Sequence, residues 1–434
     1  MKADFTRFLS RGARSMHESA IRRAGDVVLS AHDIVSLAPG FPDPLLFAWD
    51  DFRGIGQSLL TGSDGSVLQY GATRGYGPLL EALSEILQLR GIRATPDEVI
   101  VTTGSQQGLD LCARVFADAG DVAIVELPAY TGAMTAFGNA QTRLVGVRQD
   151  AGGIDLDHLD GLVARERAAG HRIAFVYVVP NFQNPTGLLM SLERRAALLA
   201  WAGRRDVLII EDDPYGALYF DDVASAAETR PLKADDADGR VVYLSSFSKT
   251  VAPGFRVAWI AAPSALVAKL EIAKQSADLC TGALDQRFIY EVWKRGVFEG
   301  RLPMLRERYR EKRRVMERAL HRELGDLVSW PAPKGGFFLW AAFPPGIDTD
   351  ALLARARAHG VVYVPGSAFF VEHRGADRAR LSFSAPSPEQ IEAGIRRLAA
   401  AVREEIGTKE TRQAESGSDS GAGPAARSPA RSSG

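Results

Sequence analysis

Between about Glu98 and Ala262 the chain alternates short, almost uninterrupted apolar runs with stretches of helical spacing. The runs are residues 98–103, 121–126, 142–148, 172–179, 207–212, 240–247 and 256–262. Val/Ile/Leu-rich runs of this length suit strands covered on both faces, and the spacers suit parallel crossovers. The pattern predicts an α/β unit, a mostly parallel seven-stranded sheet flanked by helices. Farther on, residues 301–324 are charged with leucines at helical spacing. Apolar segments follow at 335–340, 361–366 and 380–384, and then a closing helix from Pro388 to about Ile406. That succession predicts a smaller α+β domain. Residues 408–434 hold no Val, Leu, Ile, Met or aromatic residue, cannot bury enough surface to offset ordering entropy, and are expected to be disordered. The expected division is an arm and loop over 1–48, a large domain over 49–298, a small domain over 299–407 and the tail.

At 434 residues the chain can bury substantial cores. Its 52 basic and 53 acidic residues nearly balance, so bulk charge asks for neither nucleic acid nor an anionic membrane as partner. Small-molecule substrates fit better. Cys112 and Cys280 are far apart, with no metal-ligand spacing nearby, which argues against a disulfide framework or a zinc site. The first residues lack the apolar core of an export signal, and no apolar run reaches membrane-spanning length. The expected location is the cytoplasm.

Candidate chemistry gathers where the runs end. Ser246-Phe247-Ser248-Lys249-Thr250 closes one run and Arg256 opens the next. Hydroxyls and a guanidinium can hold a phosphate beside a lysine whose pKa a cationic neighbour and burial depress, leaving the amine free to react with an aldehyde. Pyridoxal 5'-phosphate would be held in this way, and a solvated loop is the other reading. Gly104-Ser105-Gln106-Gln107 follows the first run, where Leu109, Cys112, Ala113 and Phe116 start a helix at about Ser105. Such an N-terminus offers N–H groups to an anion, or is a simple cap. Tyr130 follows the second run and can stack on a flat ring or merely pack. The segment from Asn181 to Gly187 offers amides to a phenolic oxygen or forms an ordinary turn. Glu211-Asp212-Asp213 ends the fifth run. A buried acid there needs a cationic partner, which a protonated pyridine nitrogen would supply to Asp212; a metal is the competing reading.

In order along the chain, Gly104-Ser105-Gln106-Gln107, Tyr130, Asn181-x-x-Asn184-Pro185-Thr186-Gly187, Asp212-x-x-Tyr215, Ser246-x-Ser248-Lys249, Arg256 and Arg380-x-Ser382-Phe383-Ser384 resemble the class I/II aminotransferases of the aspartate aminotransferase fold. Ser36-Leu37-Ala38-Pro39-Gly40-Phe41-Pro42 and Glu211-Asp212-Asp213-Pro214-Tyr215 look most like the branch of aminoadipate, kynurenine and aromatic aminotransferases. The similarity runs from about Arg7 to Ile406. It implies that Lys249 forms the Schiff base with pyridoxal 5'-phosphate and shuttles a proton, and that Asp212 holds the pyridine nitrogen. Tyr130 would stack on the ring, and Asn184 and Tyr215 would bind its 3'-oxygen. Ser105, Gln106, Ser246, Ser248 and Arg256 would cradle the phosphate. Arg380 would grip the substrate carboxylate, with Asn184 and the loop at Gly40 on the substrate side. Tyr70 would reach the phosphate of a neighbouring subunit, so a homodimer is expected. Pro39 departs from the branch, which often has Gly there, and this bears on the loop's shape.

The implied activity moves an amino group from an aromatic, branched or apolar, kynurenine-type or 2-aminoadipate-type L-amino acid to 2-oxoglutarate. A lyase or decarboxylase on the same scaffold is the alternative, because the cofactor's ring stabilises a carbanion and the protein selects the bond that breaks. A transcription regulator would need a further module ahead of the arm, and the substrate-side loop already begins near Ser36. The segment Arg11–Val28, with Met16, Ile21, Arg22 and Arg23, is a candidate adaptable wall for side chains of different polarity, or simply a surface helix.

Overall fold

The computed structural model describes residues 5–16 and 33–419, apart from Ser63, Asp222, Ala224 and His373, and leaves out the side chains of Arg11, Ser15 and residues 409–419. Strands are numbered in chain order: β1 (Val35–Ser36), β2 (Val99–Thr103), β3 (Val122–Leu127), β4 (Arg143–Asp150), β5 (Gly153–Ile154), β6 (Ile173–Val178), β7 (Leu208–Asp212), β8 (Val241–Ser246) and β9 (Val257–Ala261), then β10 (Phe338–Ala342), β11 (Val361–Val362), β12 (Val364–Pro365) and β13 (Arg378–Ser382).

The seven predicted strands lie in one sheet of order β2-β9-β8-β7-β6-β3-β4, which the two-residue β5 extends to eight at the β4 edge. Strand β9 runs antiparallel to β2 and β8, and β5 to β4; the other pairs are parallel. Period-2 alternation explains the continuous apolar runs. In β3, Ala123 and Val125 pack with Leu109, Cys112 and Phe137 on one face, while Val122 and Ile124 pack with Leu159, Leu198 and Trp201 on the other. Both faces are dry. Strands β8, β7, β6 and β3 end side by side, and crevices beyond such carboxyl ends are where α/β sheets bind ligands.

A second sheet, β10-β13-β12, packs with the helices Val297–Leu324 and Pro388–Asp419 around Leu320, Leu339, Leu381 and Leu398. Strand β1 pairs parallel with β11, Val35 opposite Val361. The chain around Ser36 is thereby tied to the C-terminal unit, which carries Gly40 to the edge of the large sheet.

The closing helix runs to Asp419, past its expected end at Ile406. Residues 408–414 are mostly Glu, Lys, Arg, Gln, Thr and Ala, so a nucleated helix can propagate without an apolar face. The rest of the expected tail, 420–434, lies outside the described residues. No described helix is long and apolar enough to cross a membrane.

Candidate active site

Strand β8 ends at Ser246, and the turn after it carries Lys249 into the gap between the two sheets. The Lys249 Nζ donates to the Gly40 carbonyl at 2.9 Å, with the Tyr215 and Phe337 ring centroids at 5.9 and 5.8 Å. Burial, then the charges of Arg380 and Arg256, push the amine down to about 8, against a smaller opposing pull from Asp212. An ordinary lysine would be almost wholly protonated at neutral pH; this one has an accessible free-base form.

The three acids at the end of β7 face three environments. Asp212 Oδ2 accepts from the Tyr177 hydroxyl at 2.9 Å, while its Oδ1 is buried with no hydrogen-bond partner. Burial pushes Asp212 up to about 7. Asp213, on the opposite side of the strand, accepts from Arg90 (3.1 Å), Asn181 Nδ2 (2.9 Å), the Tyr243 hydroxyl (3.0 Å) and the Gly216 amide (2.9 Å). Glu211 does not have the cationic partner that its position suggested. Its oxygens accept from the backbone amides of Leu232 and Lys233 at 2.8 and 2.9 Å, and N–H groups satisfy a buried carboxylate as a cation would. With the acids turned apart, the metal reading of this cluster has no geometry to support it.

Gly104 precedes the helix Ser105–Phe116 at φ +78°, and a Cβ there would lie 2.0 Å from the Arg256 guanidinium. Only glycine permits both the left-handed backbone and that approach. Ser105 Oγ is buried with no partner. Ser246 Oγ donates to Ser248 Oγ at 2.8 Å, so two hydroxyls lie beside the same gap. Gln106 is engaged elsewhere, its amide donating to the Gly132 carbonyl at 2.8 Å. Tyr130 caps the next helix, Thr131–Asn139, and its ring lies so near Gly132 that a Cβ there would come within 2.5 Å of it.

Arg380, 1% exposed in the middle of β13, donates to Asn184 Oδ1 at 2.8 Å and to the Ala38 carbonyl at 2.5 Å. Its guanidinium sits 4.3 Å from the Phe338 ring centroid and 5.1 Å from that of Phe369, and its buried Nε has no partner. Burial pushes it down to about 10, so it stays charged at neutral pH. Gly40 lies against Phe338, whose Cζ would be 2.3 Å from a Cβ at residue 40. The aromatic rings Phe337, Phe338 and Phe369, and the Tyr177 phenol, were not singled out in the sequence; the run Gly335-Gly336-Phe337-Phe338 was the available signal for two of them.

The fold thus brings Ser105, Asp212, Tyr215, Ser246, Ser248, Lys249 and Arg256 together with Gly40, Asn184 and Arg380 across the gap. It does not bring Tyr70, which stands 78% exposed. Ile21, Arg22 and Arg23 lie outside the described residues, and Met16 is exposed.

Residues 48–398 match the family described as Aminotransferase class I and II. The chain belongs to this family. It is a pyridoxal-phosphate-dependent aminotransferase. The aminotransferase is 40% identical to the Aromatic-amino-acid aminotransferase 1 of Thermococcus litoralis, over 93% of this chain and 96% of that one. It is 39% identical to the 2-aminoadipate transaminase of Thermus thermophilus, over 85% of this chain and 90% of that one. Its structure superposes on that of Pyrococcus horikoshii kynurenine aminotransferase in complex with PMP with a TM-score of 0.87 and 38% identity, covering 93% and 99% of the two chains. Pyridoxal 5'-phosphate fits the residues present. Ser105 Oγ, Asp212 Oδ1 and Arg380 Nε are buried and unpartnered, suiting in turn a phosphate, a protonated ring nitrogen and a carboxylate.

Proposed function

We propose that this aminotransferase moves the amino group of an L-amino acid of aromatic, branched or apolar, kynurenine or 2-aminoadipate type to 2-oxoglutarate in two half-reactions. The observation that carries the reading is Arg380. It is a buried cation with an unpartnered Nε, flanked by Phe338 and Phe369, near enough to Lys249 for its charge to depress the amine. A carboxylate at that guanidinium would put the substrate's amine beside Lys249 and its side chain among aromatic faces.

Bound pyridoxal phosphate would supply the electron sink. Ser105, Ser246, Ser248 and Arg256 would hold its phosphate together with the backbone N–H of Gln106 in the first turn of the helix, and Tyr130 would lie against its ring. Asn184, whose oxygen already serves Arg380, would turn its amide nitrogen to the ring's 3'-oxygen with the Tyr215 hydroxyl. Asp212 Oδ1 would face the ring nitrogen. Lys249 Nζ would anchor the cofactor and then carry the proton.

A panel of donors with 2-oxoglutarate tests the reading, with glutamate as the product measured. Wild type should convert apolar, aromatic and 2-aminoadipate donors, and Arg380→Ala should lose about 10²–10³-fold in kcat/KM for every donor, mostly through KM, as expected for two charge-assisted hydrogen bonds. Release of carbon dioxide or ammonia in place of glutamate would favour the lyase alternative.

The protein is further proposed to be a homodimer with shared sites. Phe41, Leu45, Trp49, Leu68 and Tyr70 are 53–84% exposed, a density of apolar groups that a second copy would cover. Tyr70 would then reach the partner's phosphate site. Mixing Tyr70→Phe subunits, impaired at the phosphate, with Lys249→Ala subunits should restore part of the activity, since each heterodimer holds one site free of both lesions. No recovery after confirmed subunit exchange would count against the shared site.

A further inference from the structure

Tyr177 lies in β6 opposite Ile210 of β7, and Asp212 is two residues beyond Ile210 on the same face. A tyrosine can span that diagonal, and its hydroxyl meets Asp212 Oδ2 at 2.9 Å. Both side chains are buried, and Phe137 packs edge-on against the phenol, centroids 5.4 Å apart at 74°. The phenol is therefore held from the side while its hydroxyl holds the carboxylate. The second oxygen of Asp212 is the unpartnered atom proposed to face the cofactor's ring nitrogen.

We propose that Tyr177 is a positioning residue for this reaction: its hydrogen bond fixes the plane of Asp212, aims Oδ1 at the ring nitrogen, and keeps the shared proton on the ring rather than on the carboxylate. The proposal rests on the assignment of Asp212 to the ring nitrogen. A hydrogen bond to the charged form makes a carboxylate less basic, and burial makes it more so. Asp212 is pushed up to about 7 by burial even with Tyr177 donating, so without that donor it competes harder for the proton. The other groups facing Asp212 are Asp213, which raises it further, Lys249, which lowers it, and Cys112 and Tyr215, both pushed up by burial and so neutral. Tyr177 in turn faces Tyr130 and Glu126, the latter pushed up to about 8 by burial. None of these donates to Asp212 in the structure, so Tyr177 is not duplicated.

Tyr177→Phe keeps the ring and removes the hydroxyl. We expect kcat to fall about tenfold with KM for the donor nearly unchanged, and affinity of the cofactor-free protein for pyridoxal phosphate to fall several-fold. A ring that loses positive charge lets the neighbouring Lys249 nitrogen keep its proton to higher pH, so the pH midpoint of the loaded protein's visible absorbance should rise. In an Asp212→Asn background the same substitution should change kcat by less than about twofold, because Tyr177 acts through that carboxylate. Replacing Tyr177 with difluorotyrosine, nearly isosteric and a stronger donor, should move the midpoint down, and it keeps the test available if the Phe variant folds poorly. An unchanged midpoint with both replacements, or equal losses of kcat in the two backgrounds, overturns the proposal. Full activity in Asp212→Asn alone would instead overturn the assignment of Asp212.

Discussion

Replacing Lys249 with Ala is expected to abolish turnover with every donor, by roughly 10³-fold or more, while leaving the fold intact. Two functions meet in one amine, covalent attachment of the cofactor and transfer of the proton, and no other described lysine is placed to take them over. The loss at the site costs the protein little. Burial, Arg380 and Arg256 hold Lys249 at about 8 against an ordinary 10.5, so at neutral pH the charged amine opposes folding of the cofactor-free chain. That penalty is complete below about pH 8 and disappears as pH rises toward 10.5, because over that interval the unfolded chain binds more protons. Alanine removes it, which offsets the packing lost with the side chain. Circular dichroism and a thermal melt should therefore match wild type. Borohydride reduction followed by mass spectrometry should find a pyridoxyl group on the Lys249 peptide of wild type only. A variant that turns over normally, or a label on another lysine, would move the reaction away from this residue.

Much of this was legible along the chain, for identifiable reasons. Both faces of the inner strands of the large sheet are covered, so these appear as almost uninterrupted apolar runs, and the predicted ends of the seven longer strands fall within two residues of the observed ones. Function sits just past those ends, which is why Ser105, Asp212, Ser246 and Lys249 are readable in order. What was hidden depends on contacts between distant segments. Tyr177 lies inside an apolar run, where a tyrosine looks like strand propensity, and only the register of β6 against β7 shows that its hydroxyl reaches Asp212. The aromatic faces on Arg380 come from residues 338 and 369, joined only by folding. Glu211 looked as though it needed a cation because it lies where the strand is still buried, whereas its partners are backbone amides more than twenty residues on. Pairing of β1 with β11 was also invisible, since two residues carry no periodicity.

Asp212 and Asp213 are adjacent carboxylates that should respond to substitution in opposite ways. Asp212 in the cofactor-free protein has one hydroxyl donor and one bare oxygen, and burial holds it at about 7 against an ordinary 3.8. An acid raised in this way favours folding least when ionised, so its penalty is absent below about pH 4 and complete above about pH 7. Over about three pH units the ceiling is roughly 4 kcal/mol. Asp212→Asn keeps the shape and still accepts from Tyr177, so the cofactor-free variant should melt higher than wild type at pH 8, with much of that gain gone at pH 5. Its turnover should nevertheless fall by about 10²-fold or more, since a neutral amide cannot hold a cationic ring. Asp213 has four donors, one of them Arg90, and no bare oxygen. Asp213→Asn should lose about 3 kcal/mol of stability by stranding part of that set, with a far smaller effect on turnover measured well below the melt. Melts of both cofactor-free variants at pH 5 and pH 8, beside kcat for the loaded forms, decide the matter. Equal catalytic losses at the two acids, or an Asp212→Asn protein less stable than wild type at pH 8, would mean that the ring nitrogen is held somewhere else.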